Sequence, residues 1–458
     1  MRIKTVATTT NENPRKPELL APAGDFERLQ IAIAYGADAV YLGGSSFGLR
    51  AKAKNFDTDG LKKAIEYSHQ HGVLVYVTAN IFARNNDIDE MAGYFKSLAA
   101  MGADAFIISD PGVFALAKKE APEVDVHIST QANTTNYASV RFWQDMGASR
   151  VILARELSLK EISEIYGKLN GKQNENPNGN LNGNLSGKQI ALEGFIHGAM
   201  CMAYSGRCML SRYMTGQDAN LGHCAHPCRY SYRLYAEEVS RPGYFMPVEE
   251  NEHGTDIFGA EDLCMAAHLP ALTDSGLKSF KIEGRMKSAF YVGLATRTYR
   301  QAIDAMFEEE GKYKKKIPYY LEMLKMASHR PFTTGFYFRD FRNTGEFEND
   351  GYSDSHSSNL SLTPVSLHAP APYARTHSFV GIVREYIPET RQVVIEQRNT
   401  FEAGDVLTFI LPNGEDFSQK IETMHSEDGS PITRAPHAQQ RVAIKVDKSA
   451  PVLTLVAK

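Results

Sequence analysis

The chain has 458 residues, 43% hydrophobic and 23% charged, which supports a large buried core and excludes disordered, collagen-like and fibrous classes. Fifty Lys and Arg against 54 Asp and Glu leave a formal charge of -4, which excludes a nucleic-acid track over the whole surface and confines any RNA contact to a local basic patch. No apolar run reaches the ~20 residues of a membrane helix, and the opening MRIKTVATTTNENPRKP is polar where a secretory signal is apolar, so a cytoplasmic chain without a membrane partner is expected.

Residues 1–16 read as a disordered arm. From residue 17 a pattern recurs: a helix-period segment ends, a Gly follows, and a short apolar strand begins. In chain order the expected strands are ELLAPAG (Glu18 to Gly24), GADAVYLGG after Tyr35, GVLVYVTANI after His71, GADAFIISD after Met101, VDVHISTQAN (Val124 to Asn133), GASRVILAREL after Met146, IALEGFIHGAM (Ile190 to Met200) and GLKSFKIEGR after Ser275. Near-continuous apolar strands suit a parallel sheet covered by helices, and eight of them predict an α/β fold, a (β/α)8 TIM-like barrel over residues 17–310. A doubly wound sheet is the alternative, but no GxGxxG turn follows the first strand.

Two insertions interrupt the pattern. Residues 167–189 are Asn/Gly-rich and predict a flexible surface loop; residues 201–274 leave the C-terminal end of the seventh strand and carry the cysteines. A basic stretch, KYKKKIP, a short helical piece from Tyr319 to Ala327 and a polar segment then read as a linker region, 311–372. Over residues 373–458 the pattern becomes apolar alternation between turns, as in FVGIVREY and GDVLTFILP, which predicts a small all-β C-terminal barrel.

Five cysteines and no signal sequence argue against a disulfide framework. Cys201, Cys208, Cys224 and Cys228 cluster in the polar insertion and Cys264 follows. Clustered thiolates suit tetrahedral zinc or an iron–sulfur cluster, and the irregular spacing favours the cluster. A cysteine-protease reading has His197, His223 and His226 nearby, but explains one thiol and leaves four over. Tyr41, Asn80, Gln131, Asn133, Arg155, Glu156, His197, Glu283 and Arg285 lie at or beyond strand C-termini, where a barrel builds its ligand site. In FGLRAKAKNF, Arg50 and Lys54 could grip a carboxylate or phosphate, and the forks of Arg155 and Arg285 suit carboxylates.

The runs LLAPAGDFERLQIAIAYGADAVYLGG, LRAKAKNF, HISTQAN, HGAMCMAYSGRCMLS, CAHPCRY, AEDLC and SFKIEGRMKS together resemble peptidase family U32, from about Glu18 to Arg300, and the tail resembles that family's C-terminal barrel. Despite the name, the resemblance implies oxygen-independent hydroxylation of tRNA wobble uridine, of a ribosomal RNA cytidine or of a quinone ring. A chain of this length with the added barrel is most similar to the branch that makes 5-hydroxyuridine in tRNA. The resemblance implies a 4Fe-4S cluster on Cys201, Cys208, Cys224 and Cys264, with Cys228 in reserve. It further implies prephenate, a small dicarboxylate, as hydroxyl source, tRNA as partner, and a possible second subunit of the same family; among the residues at the barrel mouth, His197, Glu283 and Arg285 are the expected catalytic ones. Collagenase-like peptidase activity is the alternative, although no GxSxG elbow or HExxH helix occurs.

Overall fold

A computed structural model of the chain describes residues 16–48, 55–170, 189–200, 210–215, 217, 224–225, 227, 235–237, 245–247, 261–338 and 377–458. Seven parallel strands follow one another as β1 (Glu18–Pro22), β2 (Ala39–Gly43), β3 (Leu74–Thr78), β4 (Ala105–Ile108), β5 (Asp125–Ile128), β6 (Arg150–Ile152) and β7 (Ala191–Ala199). Beyond β7 come a small antiparallel pair, β8 (Tyr235–Glu237) and β9 (Phe245–Pro247), then β10 (Asp262–Cys264) and β11 (Ser279–Ile282). Strand β11 pairs in parallel with both β1 and β7 and closes an eight-stranded barrel, so the expected TIM-like fold is what the chain adopts.

Helices α1 (Phe26–Ala34), α2 (Thr58–Gln70), α3 (Asn85–Met101), α4 (Pro111–Glu120), α5 (Tyr137–Asp145) and α6 (Leu159–Asn170) alternate with the first seven strands. Their starts are local chemistry. Asp25, Asp57, Asp110 and Asn136 each accept an amide from the first turn, and Pro111 occupies the first helical position, where its missing N–H costs nothing. At their ends the repeated Gly-Ala pair does what the sequence suggests: Gly36, Gly102 and Gly147 have φ of +98°, +88° and +95° and turn the chain into the next strand.

The insertion after β7 contains α7 (Leu210–Thr215), then β10, which runs antiparallel to the end of β7, and α8 (Leu269–Asp274). Helix α9 (Ala289–Glu308) follows β11 and is buried along most of its length. The linker expectation for 311–372 is corrected where it begins. A continuous helix α10 (Glu310–Lys325) buries Tyr313, Tyr320, Leu321 and Leu324 against α9, and β12 (Phe332–Thr333) pairs with β10. The Lys run and Pro318 masked a three/four-residue apolar period, because all of them sit on the exposed side.

Residues 377–458 form an all-β unit of ten short strands without a helix. Strands β13 (Phe379–Ile387), β14 (Gln392–Gln397), β16 (Val406–Ile410), β17 (Phe417–Lys420), β18 (Met424–Ser426), β19 (Pro431–Ile432), β21 (Arg441–Lys445) and β22 (Leu455–Ala457) make one antiparallel sheet in the order 17-16-22-13-14-21-18-19. Strand β15 (Phe401–Glu402) pairs with β20 (Arg434–Ala435). Among the described residues β17 and β19 do not meet, which makes a half-barrel rather than a closed one. It is docked on the α1–α9 side of the large barrel: Ile382, Ile410, Leu455 and Ala457 belong to the same apolar core as the barrel strands, and Phe290 stacks on Phe379 with centroids 5.0 Å apart. The Tyr35 hydroxyl donates to Ile410 O at 2.7 Å and accepts the Leu455 amide at 3.1 Å, while Arg297 pairs with Asp416 at 2.8 Å.

Candidate active site at the barrel mouth

A charged network fills the lower interior of the barrel. Glu18 on β1 accepts both guanidinium nitrogens of Arg150 on β6, at 2.6 and 3.0 Å, and the Tyr76 hydroxyl at 2.7 Å. Arg150 also meets Glu193 on β7 at 3.0 Å, Glu193 accepts from Lys281 at 3.0 Å, and the Ser279 hydroxyl lies between both carboxylates. Burial alone pushes the Glu18 carboxyl up, but the Arg150 charge and three hydrogen bonds outweigh it and hold the group below the usual range. One layer higher, Lys281 lies 4.4 Å from the centre of the Tyr41 ring, and the Arg155 guanidinium sits 3.8 Å over Phe195.

Above these rings the strand C-termini present polar groups. Arg155, just past β6, donates to Ala199 O at 2.8 Å and to the Glu283 carboxylate at 3.2 Å, so β6, β7 and β11 are tied together where a cation and an acid still touch solvent. Asn80, past β3, donates to the Gln131 side chain at 2.7 Å, and Ser129 donates to the same oxygen. Asn133 ends the short helical turn Thr130–Ala132 in the left-handed region, φ +56°, a conformation Asn tolerates better than most residues. Arg285 is buried and donates to Thr78 Oγ1 at 2.7 Å and Asn55 Oδ1 at 3.1 Å.

His197 and Cys264 form a second, drier group beside this mouth. They are register partners across β7 and β10. The imidazole stacks on Tyr291 and packs against Tyr299 and Phe332, with Nδ1 3.3 Å from the Tyr299 hydroxyl. Burial pushes its pKa down to about 3, with Asp262 opposing and Lys287 and His329 adding to the shift. Cys264 is fully buried, its Sγ 3.8 Å from the same hydroxyl, and burial raises its pKa to about 11. A thiol there keeps its proton at neutral pH unless a metal cation replaces it. Strand β10 lays Cys264 beside the end of β7, from which the chain departs towards Cys201, so in position and donor chemistry Cys264 fits a metal–thiolate centre.

The Peptidase family U32 model matches residues 24–346, and the model of the Peptidase family U32 C-terminal domain matches residues 375–457. The chain belongs to peptidase family U32. It is 36% identical to tRNA hydroxylation protein P1 of Bacillus subtilis (strain 168), over 98% of this chain and 96% of that protein. It is 34% identical to tRNA hydroxylation protein P of Escherichia coli (strain K12), over 92% of each. A further likeness, 34% identity to the 23S rRNA 5-hydroxycytidine C2501 synthase of the same E. coli strain, covers 64% of this chain and 40% of that one.

In this U32 chain the structure joins Asn80 to Gln131 and Arg155 to Glu283, and places half-buried Glu156 in the turn after Arg155. It separates His197 from them: the ring packs on α9, outside the strands whose interior carries Phe195 and Lys281. The Tyr41 hydroxyl is occupied by Ile282 O at 2.9 Å. Cys224 is half-buried; Arg50, Lys54, Cys201, Cys208 and Cys228 lie outside the described residues. Among the described residues no three His, Cys, Asp or Glu side chains gather as a metal site. The lower network of Glu18, Arg150, Glu193 and Lys281 escaped the sequence reading, though it left a trace: each residue is a lone charge within or at the edge of an apolar strand run, two acidic and two basic. The buried pair Asp262–Arg330, 2.9 Å apart, escaped for the same reason.

Proposed function

We propose that this protein hydroxylates tRNA, converting wobble uridine to 5-hydroxyuridine without molecular oxygen, with prephenate as hydroxyl source. The observation that carries the reading is likeness along nearly the whole chain, both domains included, to two proteins named for tRNA hydroxylation. Cys201, Cys208, Cys224 and Cys264 would hold a 4Fe-4S cluster, which when bound supplies one-electron chemistry. The chain's own contribution lies at the mouth. Arg155, steadied by the Phe195 face and Glu283, presents a guanidinium to a ligand carboxylate, and Glu283 stands beside it to hold or release a proton.

Deleting the gene and analysing tRNA nucleosides by mass spectrometry tests the reading: 5-hydroxyuridine-derived nucleosides should fall and return on complementation. A second reading, hydroxylation of a ribosomal cytidine, is favoured by the likeness to the 23S synthase; loss from ribosomal RNA with intact tRNA nucleosides would select it. Loss from neither, with no second family member to compensate, leaves the peptidase alternative. Anaerobically purified protein should be brown with about four iron and four sulfide per chain; colourless protein with stoichiometric zinc rules the cluster out.

A further inference from the structure

We propose that Arg285 is a positioning residue, whose fork locks the ends of β2, β3 and β11 together so that Glu283, two residues earlier, faces Arg155 across the mouth. The proposal rests on the reading above for its activity arm only. Arg285 is 4% exposed, and its two terminal nitrogens are directed at Thr78 Oγ1 and Asn55 Oδ1. The space it fills is made by glycines. A Cβ on Gly43 would stand 2.6 Å from Nη1, one on Gly24 would strike the Arg285 carbonyl, and one on Gly48 would lie 3.7 Å from Nη2. Gly43 therefore gives up a side chain to admit the guanidinium, and Gly24 one to admit the Arg285 backbone.

The chain around this contact is strained and pinned. Phe47 has φ of +62°, unfavourable for an aromatic side chain, Asn55 takes +39°, which Asn tolerates better, and a bridge joins Gly44 to Phe56, with the Phe56 amide donating to Gly43 O at 3.1 Å and the Ser45 amide to Phe56 O at 2.9 Å. Between Glu283 and Arg285, Gly284 takes φ +155°; a Cβ there would lie 2.6 Å from the Tyr291 ring. The two flanking residues thus reach in different directions, Glu283 to Arg155 just past β6 and Arg285 to Thr78 on β3 and Asn55 ahead of α2. Withdrawing the fork removes one hold on Asn55 and on the end of β3 together, and with them on the strand end that aims Glu283.

The test compares Arg285→Lys, Arg285→Gln, Thr78→Val and Asn55→Ala in the full chain. An ammonium keeps the charge but cannot hold two acceptors in fixed fork geometry. Positioning therefore predicts that R285K and R285Q both lose about tenfold or more of tRNA hydroxylation at matched expression, since small misplacements of reacting groups are costly. T78V and N55A should each lose about threefold, and T78V should add nothing to R285Q. In purified protein without substrate, hydrogen exchange at the Ser45 and Phe56 amides should quicken in all four variants while the other barrel strands and the melting temperature change little. If R285K works as well as the native protein, R285Q is inactive and exchange is unchanged, Arg285 meets the ligand by charge and the proposal is overturned. Should the native chain leave tRNA unmodified, the functional reading fails while the exchange arm still decides the role of Arg285.

Discussion

The two ends of the barrel interior are both built from charges and are knit differently. At the lower end Glu18, Arg150, Glu193 and Lys281 neutralise one another within hydrogen-bonding distance; Glu193 has no exposed surface, while Glu18 and Arg150 keep 17% and 12% of theirs. At the mouth Arg155 and Glu283 pair with each other while Arg155 also donates to Ala199 O, and the two side chains keep 9% and 18% of their surface open. A four-residue network across β1, β6, β7 and β11 specifies which strands meet; an ion pair at the strand C-termini stands where a barrel receives its ligand. Charge inside a barrel therefore marks a site by the end at which it lies.

Breaking the lower end should have the largest effect on folding. Glu193→Ala strands Lys281 without its acid, leaves Arg150 with Glu18 alone, and is expected to cost about 3–5 kcal/mol, read from denaturant midpoints; a loss under about 1 kcal/mol would show that water already screens the network. Acid comes next, through His197. The ring's pKa is about 3 in the fold against an ordinary 6.5, so between those values the unfolded chain binds a proton that the native state does not, and stability falls as the pH drops below 6.5. At pH 5 this group accounts for about 2 kcal/mol. His197→Gln should flatten the loss of stability between pH 7 and 5; an unchanged slope means the imidazole is not kept neutral. Smallest in stability is the mouth. Glu283→Gln should shift unfolding by less than about 1 kcal/mol, as for a part-exposed pair, yet reduce tRNA hydroxylation about tenfold or more; a stability loss equal to that of E193A would erase the contrast between the two ends.

The half-barrel sharpens the same contrast from outside. Its basic residues look in sequence like one set, but Arg384 and Arg398 are committed to Glu27 and Glu396, and Arg441 to Glu427. Because Leu455, Ile410 and Tyr35 bury part of its docking face, cutting the chain near residue 372 would expose apolar surface on α1 and α9 as well as remove a domain.

The sequence alone determined the eight barrel strands, the glycines that end the helices, the β-rich tail and the family. Parallel strands buried on both faces must be apolar in unbroken runs, and left-handed glycines act within a few residues, so each is legible locally. Tertiary structure alone decided which charges face one another. Glu18 and Arg150, or Arg285 and Thr78, are brought together by barrel closure, and nothing in either segment names its partner. The same holds for His197: it ends an inward-leaning strand, but the register of β11 shifts between Lys281 and Ile282, and the ring lies against α9 instead of the mouth. Helix α10 was hidden because its apolar period lies under a conspicuous Lys run, and only α9 shows which side is buried.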